Sequence, residues 1–253
     1  MIYVSHLLCD EDMKEICGQY GTGVESIEFS ISDNLDRLER KNGTVSKKNW
    51  SRWEIHRLPC IGPFLDLNPA SFDSRIRKVT MERFDQCYQA GIRLGAEKIV
   101  YHSGMIPMVY FREGWAEQTG RFFREFLKDR EGPEIVMENV LDEDWRLLLD
   151  VYRIVDHPKF KLCLDMGHAH CYSEISVLEW AEELAPCVGH VHIHDNAGNR
   201  DSHLGLGKGT LPWEKVLEVL PCTKERTWTI ECSNKEDVIL CIKQINEKMR
   251  GKL

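Results

Sequence analysis

The feature that most constrains the fold is a repeated alternation between short apolar runs and longer segments of helical periodicity. From residue 97 onward, each of five runs precedes a predicted helix: E-K-I-V-Y-H-S-G, E-I-V-M-E-N-V, F-K-L-C-L-D-M-G-H, V-G-H-V-H-I-H-D and R-T-W-T-I-E-C-S. Near-continuous apolar runs are typical of parallel strands that are covered on both faces. The alternation therefore predicts an α/β fold.

Eight strand-then-helix units can be counted, which matches a closed (β/α)₈ barrel. The predicted strands cover residues 2–6, 24–29, 54–61, 97–104, 134–140, 160–168, 188–195 and 226–233. The first predicted helix begins near Asp10, and the second lies, together with a loop, within 30–53. The other six cover 74–95, 115–129, 144–155, 176–184, 212–220 and 235–249. Because 253 residues is a usual length for one TIM barrel, we expect a single domain over 1–253. An open doubly wound sheet is the alternative, but no G-x-G-x-x-G follows an early strand.

Side chains that can bind metals or move protons lie at the ends of most predicted strands. In chain order they are His6, Glu28, His102, Glu138, Asp165 with His168, His192 with His194, and Glu231. In a TIM barrel the C-terminal strand ends share one face, which carries the catalytic residues. Any one of these residues alone is better explained as a rim ion pair or hydrogen bond. Together they bring carboxylates close to one another, and a cation relieves the repulsion between them.

The densest such stretch is residues 190–209, H-V-H-I-H-D-N-A-G-N-R-D-S-H-L-G-L-G-K-G. Its three alternating histidines share one face of a strand, and the glycine-rich loop that follows supplies Asp201 and His203. A histidine-rich surface strand is the structural alternative. Carboxylate and imidazole donors without thiolate suit Mn²⁺, Zn²⁺, Co²⁺ or Fe²⁺, so the stretch predicts a divalent metal site.

Composition narrows the class of protein and its partners. The net charge of −8 and the lack of a basic stripe disfavour a nucleic-acid binder. No apolar run approaches the roughly 20 residues needed to cross a bilayer, and the N-terminus does not resemble a signal peptide. The ten cysteines form no C-x-x-C pair, which favours reduced thiols in a cytoplasm. We therefore expect a cytoplasmic protein with a small-molecule partner and no membrane; whether it is a homo-oligomer stays open.

With these residues considered, the chain resembles the xylose isomerase-like barrel superfamily. That group contains sugar and sugar-phosphate isomerases and epimerases and, as relatives, the type-IV apurinic endonucleases. The resemblance covers essentially the whole chain. Its most specific motifs are H-S-G, M-E-N, L-D-M-G-H, H-I-H-D-N, D-S-H-L-G-L-G-K-G and I-E-C.

The resemblance to the epimerase branch implies one metal ion and two catalytic glutamates. The implied metal ligands are Glu138, Asp165, His192 and Glu231. His192 is preferred over His194 because the family histidine lies three residues before an acidic residue, here Asp195. The implied catalytic pair is Glu138 and Glu231. The residues expected to bind substrate are His168, His194, Lys208, Glu28 and His6.

The endonuclease branch, by contrast, binds three zinc ions. Its additional ligands resemble His102, His168, Asp201 and His203. One family histidine is missing, because Ile61 stands at its position. The resemblance thus implies one ion, with a second on the additional ligands if they serve a metal rather than substrate.

Four functions follow as hypotheses. The first is a Mn-, Zn- or Co-dependent sugar isomerase or epimerase that transfers a proton beside a metal-polarised carbonyl. The second is a zinc-dependent phosphodiester hydrolase that acts on damaged DNA, which the net charge and Ile61 disfavour. The third is a dehydratase of the same superfamily. The fourth is a barrel that binds a ligand without catalysis.

Overall fold

The computed structural model describes residues 1–40 and 59–250, and within them eight parallel strands form a nearly closed barrel. The strands are β1 Ile2–Ser5, β2 Gly23–Glu25, β3 Pro59–Ile61, β4 Lys98–His102, β5 Glu134–Glu138, β6 Phe160–Asp165, β7 Val188–Ile193 and β8 Thr227–Ile230. Their order in the sheet is β2-β1-β8-β7-β6-β5-β4-β3. Ser26 closes the remaining gap, because its N–H donates to Pro59 O at 3.0 Å and its carbonyl accepts from Ile61 N at 2.8 Å. The predicted (β/α)₈ fold is confirmed.

Nine α-helices surround the strands within the described part of the chain. They are α1 Asp10–Tyr20, α2 Ser32–Arg40, α3 Ser74–Leu94, α4 Arg112–Leu127, α5 Trp145–Val155, α6 Met166–Tyr172, α7 Val177–Leu184, α8 Trp213–Val219 and α9 Lys235–Arg250. Asp73, Asp144 and Ser176 cap three of them by accepting backbone N–H groups of the first turn. Gly95 ends α3 with a left-handed φ of 73°, as its predicted position after the helix requires.

The core has two layers, one outside the strands and one inside the barrel. Outside, Phe84 of α3 stacks on Tyr101 of β4 at 3.9 Å and packs against Phe123 and Phe126. The inner layer consists of Ile61, Val100, Val136 and Cys163. Side chains two residues apart on a strand share a face. Val100, Val136 and Cys163 therefore support the next inward side chains, which are the predicted site residues of β4, β5 and β6.

One strand prediction was wrong in a way that moves a site residue, whereas the predicted end of the sixth strand at Asp165 is found. The second strand ends at Glu25, because the Ser26 hydroxyl accepts the N–H of Glu28 and a short 3₁₀ turn, Glu28–Ser30, follows. Glu28 is exposed and does not end a strand. The sixth strand ends at Asp165, and α6 begins immediately after it.

Other differences are at element ends. The first helix begins at Asp10, as predicted, with Cys9 as its N-cap residue. Pro212 precedes α8 rather than being its first residue. The prediction for residues 41–53, and that for 54–58 in the third strand, fall outside the described residues. Within the described ranges, none of the helices combines the length and apolar content that a membrane crossing needs.

Substitution of Phe84 tests the outer core. Phe84→Ala should lower the free energy of unfolding by about 3–5 kcal/mol, because it leaves a cavity among packed rings. Phe111→Ala is the control, since Phe111 is 72% exposed and should cost no more than about 0.5 kcal/mol. Urea denaturation of both variants measures the difference. Equal losses would contradict the described packing.

Candidate metal centre

Four buried side chains from consecutive strands converge at the C-terminal end of the barrel. We call them the inner cluster: Glu138, Asp165, His192 and Glu231. His192 Nδ1 lies 3.2 Å from Glu138 Oε1, 3.7 Å from Glu231 Oε1 and 3.9 Å from Asp165 Oδ2. The four predicted ligands are thus brought to one place, with an imidazole nitrogen facing an oxygen from each of the three carboxylates.

The charges of the inner cluster depend on one another. Burial on its own would lower the pKa of His192, but Cys163 and the surrounding carboxylates raise it well above its ordinary value. Burial would raise the pKa of Glu138, yet the charges of His192 and His102 hold it well below. Burial raises the pKa of Glu231, and neighbouring carboxylates add to this against the opposing charge of His192. A positive charge among these carboxylates is therefore strongly favoured.

Several buried polar atoms at this site lack a hydrogen-bond partner among the described residues. They are Glu138 Oε2, both ring nitrogens of His192, His194 Nδ1 and Asp201 Oδ1. Such atoms are rare in native proteins, and each requires an explanation such as an ion. Because imidazole and carboxylate are the donors that Zn²⁺ and Mn²⁺ accept, the residues present fit a divalent ion.

A second group of possible metal donors lies beside the first. We call it the outer cluster: His168, His194, Asp201 and His203, whose donor atoms lie within 4.8 Å of one another. The rings of His194 and His203 stack at 4.0 Å, and His168 Nε2 lies 3.3 Å from Asp201 Oδ2. Burial would raise the pKa of Asp201, but hydrogen bonds from His168 and His203 lower it.

Asp165 and His168 connect the two clusters. The Asp165 side chain caps α6 by accepting the His168 N–H at 2.7 Å, and His194 Nε2 lies 3.1 Å from Asp165 Oδ1. His168 Nδ1 donates to the carbonyl of Asn139 at 3.0 Å, so its Nε2 is left to face Asp201. Gly167 is needed here, because a Cβ would lie 2.0 Å from the His194 ring.

The loop that carries Asp201 and His203 is folded around the carboxylate of Asp195. This carboxylate accepts backbone N–H groups from Asn196, Gly207, Gly209 and Leu211. Gly209 approaches so closely that a Cβ would lie 2.2 Å from Asn196 O. His203 has a left-handed φ of 46°, which is uncommon outside glycine and is often found at functional sites. Its Nδ1 donates to Glu231 O at 2.6 Å, which ties the loop to β8.

His102 joins the inner rather than the outer cluster. Its Nε2 lies 3.6 Å from Glu138 Oε2, and its ring stacks on Phe64 at 4.1 Å. Burial lowers the pKa of His102. The structure therefore brings together three of the four residues predicted for a second ion, and His194 takes the fourth place.

Three predicted substrate-binding residues have other described partners or positions. The ammonium of Lys208 pairs with Asp237 near the start of α9. His6 Nε2 lies 3.0 Å from Asp10, four residues later in the chain. Glu28 is exposed beyond the end of β2. The structure does not bring these three side chains into either cluster.

Sequence reasoning missed Glu25, which lies inside the barrel below the inner cluster. Its Oε2 lies 3.2 Å from His192 Nε2 and its Oε1 lies 3.2 Å from His190 Nε2. Burial would raise the pKa of Glu25, but the two histidines lower it to about 2. The signal was an acidic residue inside the apolar run G-V-E, directly before the turn-forming Ser26.

The candidate metal site cannot be identified from the volume of a cavity. A cavity of about 650 Å³ lies at the opposite end of the barrel, next to Ile2, Glu97 and Thr227. We place the candidate site by its converging donors, because TIM-barrel chemistry occurs at the C-terminal strand ends.

Comparison with known proteins identifies the family of the chain. The sequence model of a family described as xylose isomerase-like TIM barrel matches residues 21–246. The chain is 31% identical over 206 residues to MJ1311, an uncharacterized protein of Methanocaldococcus jannaschii, and the alignment covers 75% of this chain and 68% of that protein.

Two solved structures share the fold over nearly their full length. A D-tagatose 3-epimerase-like protein is 25% identical, with a TM-score of 0.77, and the match covers 98% of this chain and 97% of that chain. The TTHB071 protein from Thermus thermophilus, solved after soaking with ZnCl₂, is 22% identical, with a TM-score of 0.70 and 98% coverage of both chains.

The ion pair between His203 and Asp201 predicts a pH-dependent stability. Burial alone would lower the pKa of His203, but Asp201 raises it from 6.5 to about 9. Because the folded-state pKa is raised, the stabilisation is complete below pH 6.5 and is lost as pH rises through about 9. In chelator-treated protein, His203→Gln should lower the melting temperature clearly at about pH 6 and less at about pH 9.5.

The control for this experiment is the same substitution in an Asp201→Asn background. There the loss caused by His203→Gln should depend much less on pH, because the main partner charge is gone and only the more distant Asp165 and Glu231 still raise the pKa of His203. An undiminished pH dependence in the Asp201→Asn background would contradict the assignment.

Proposed function

Because the chain belongs to the xylose isomerase-like TIM barrel family, we propose that it is a divalent-metal-dependent isomerase or epimerase of a sugar or sugar phosphate. The observation that carries the proposal is the approach of three buried carboxylates to within 3.9 Å of His192 Nδ1. Buried carboxylates at this separation call for a cation, and the donor set suits Mn²⁺, Zn²⁺ or Co²⁺. Glu138, Asp165, His192 and Glu231 would hold the ion. When bound, it would polarise a substrate carbonyl as a Lewis acid.

We assign the proton transfer to the two glutamates of the inner cluster. Glu138 ends β5 and Glu231 follows β8, so they approach His192 from different strands. One takes the proton from the carbon beside the carbonyl and the other returns a proton on the opposite face. Positioned acid–base groups contribute roughly 10²–10⁴-fold each to the rate.

Substrate binding is assigned to residues around the two glutamates. His102 lies beside Glu138, so its imidazole can donate to a sugar hydroxyl. His168 lies beside both Glu138 and Asp165 and can donate through Nε2 only where no second ion is bound there. Lys208 is half-exposed and would bind a phosphate only after leaving Asp237. His194 is fully buried and serves the outer cluster better than a substrate.

The outer cluster is proposed as the place of a second, weaker ion. Its donors are three imidazoles and one carboxylate, and Asp201 and His203 are partly exposed to solvent. Burial would lower the pKa values of His168 and His203, but the neighbouring carboxylates raise both and so favour the protonated imidazoles. Metal uptake at this cluster must therefore release protons.

Metal-dependent hydrolysis of a phosphodiester is the second candidate, and the outer cluster is the observation that favours it. Against it, Ile61 is buried in the apolar layer inside the barrel, where the endonuclease resemblance requires a histidine ligand. A salt-sensitive mobility shift with DNA that contains abasic sites would favour the hydrolase. A dehydratase would use the same proton abstraction but release water, which product analysis distinguishes.

We propose a cytoplasmic location, and the state of the cysteines is the only observation that supports it. All ten lie in the described part of the chain and are free thiols, six of them buried. This state is typical of proteins in a reducing compartment.

Metal analysis tests the inner cluster. Dialysed protein should contain about one tightly bound divalent ion per chain, and His192→Ala should lose most of it because the ligand nitrogen is removed. His157→Ala is the matched control, since His157 follows α5 and its Nδ1 accepts only a local backbone N–H in the described structure. Elemental analysis by mass spectrometry gives the ratio. Full metal retention in His192→Ala would contradict the ligand assignment.

Solvent isotope incorporation tests the reaction. When a panel of ketoses and ketose phosphates is incubated in D₂O, the product should carry deuterium at the carbon beside its carbonyl. Glu138→Gln and Glu231→Gln should each slow this incorporation by about 10²-fold or more. Unlabelled product from an active enzyme would indicate hydride transfer and contradict the two-glutamate mechanism. Ligand binding without turnover across the panel would instead support a binding-only barrel.

A further inference from the structure

Directly below the inner cluster, a carboxylate lies between two imidazoles inside the barrel. Glu25 of β2, His190 and His192 of β7 are all fully buried. Glu25 reaches across to both histidines, with 3.2 Å from Oε1 to His190 Nε2 and 3.2 Å from Oε2 to His192 Nε2. A buried carboxylate destabilises the fold unless its oxygens accept hydrogen bonds or face a positive charge.

His190 is held from both sides, which fixes the position of Glu25. The His190 Nδ1 lies 2.6 Å from Thr227 Oγ1, and its Nε2 lies 3.0 Å from Thr229 Oγ1. A carboxylate only accepts, so the proton that faces Glu25 must be on His190 Nε2, and the Thr227 hydroxyl then donates to Nδ1. The neutral ring therefore has a defined tautomer and holds one oxygen of Glu25.

Glu25 also orients the ring of His192. Its Nε2 faces the other oxygen of Glu25, within ion-pair distance although the angle does not meet that of a hydrogen bond. A proton on Nε2 is favoured by that carboxylate. The second nitrogen, Nδ1, is the atom that faces Glu138, Asp165 and Glu231, and its lone pair becomes available when a metal ion displaces the second proton of the ring.

Glu25 could itself be a metal ligand, since it, His192 and Glu231 offer donor atoms within 4.8 Å of one another. The geometry of the imidazole ring argues against this. Glu25 lies against Nε2, whereas Glu138 lies against Nδ1, at the other edge of the ring. An ion bound by Nδ1 and Glu138 would be separated from Glu25 by the His192 ring.

We propose that Glu25 is a positioning residue, whose carboxylate accepts the Nε2 proton of His192 and so directs the Nδ1 lone pair at the metal position. The inference rests on the proposed function, because it assigns a role toward the ion of the inner cluster. Metal-binding histidines commonly donate their other ring N–H to a carboxylate, which orients the ring and strengthens the ligand. Here that carboxylate comes from β2, across the barrel from the four ligand strands.

The test is a titration of chelator-treated protein with Zn²⁺ in competition with a chromogenic chelator. Glu25→Gln keeps the size of the side chain but removes the charge, and we expect about 10- to 100-fold weaker binding of the tight ion with unchanged stoichiometry. Glu25→Asp keeps the charge at a shorter reach and should restore part of the affinity. Glu28→Gln is the matched control, because this exposed glutamate three residues later should leave the affinity unchanged.

A second readout separates positioning from a merely structural role. In ¹⁵N-labelled, zinc-loaded protein, the His192 ring should show a protonated Nε2 and a metal-bound Nδ1. In Glu25→Gln, the two ring signals should shift toward a mixture of tautomers. Circular dichroism melting curves of each variant report whether it folds. If Glu25→Gln does not fold, then Glu25→Asp and Thr227→Val carry the test, each with an expected loss of affinity of several-fold.

The outcomes are distinguishable. Wild-type affinity and an unchanged ring spectrum in Glu25→Gln, or wild-type affinity in both substitute variants, would overturn the positioning role while leaving the proposed function intact. Loss of one whole ion per chain, with unchanged affinity for the rest, would identify Glu25 as a ligand and also overturn it. Wild-type protein that binds no Zn²⁺ would remove the proposed function, and this inference with it.

Discussion

Repulsion between buried carboxylates is the constraint on which the rest of this structure depends. Glu138, Asp165 and Glu231 each bring an oxygen to within 3.9 Å of His192 Nδ1. Charges placed this close in a buried site are strongly unfavourable unless an opposite charge lies among them. The raised pKa of His192 agrees with this, because the neighbouring negative groups favour the protonated imidazole against the effect of burial. We infer that a proton and a metal ion are alternative ways of neutralising these carboxylates.

The inner cluster is surrounded by several layers of side chains. Beneath the inner cluster, Val100, Val136 and Cys163 form an apolar layer that keeps water from the carboxylates on one side. On the other side, Glu25 and His190 provide a polar support for His192. Above, the loop folded around Asp195 covers the site and contributes Asp201 and His203. The layers inside the barrel follow from the inward alternation of side chains on parallel strands.

The sequence predicted that polar side chains would converge at one end of the barrel, because parallel strands in a barrel end on one face. Glu138 and Asp165 end their strands and Glu231 directly follows β8. The choice of these three with His192, out of all the strand-end candidates, came from the family resemblance and not from periodicity. Glu25 could not be found in this way, because its strand stops where the Ser26 hydroxyl starts a 3₁₀ turn, and the apolar pattern of S-I-E-F continues past that point. A side-chain hydrogen bond that ends a strand does not change the apolar periodicity of the sequence.

Other parts of the site depended on contacts between distant residues. The helix α6 begins where Asp165 caps it, a role that the sequence alone did not separate from that of a ligand. Lys208 is turned toward Asp237, a pairing between residues far apart in the chain that no local pattern indicates. The structure brings Asp201, His168 and His203 together, as the motif resemblance grouped them, with His194 rather than His102 as the fourth member of the group.

The most direct test of the central claim is anomalous X-ray diffraction from crystals grown with Zn²⁺. The account predicts a peak bonded at about 2.0–2.2 Å to His192 Nδ1 and to one oxygen each of Glu138, Asp165 and Glu231. A second, weaker peak at the outer cluster would be compatible with it. A zinc ion bound only at the outer cluster, or bound by His194 in place of His192, would contradict it.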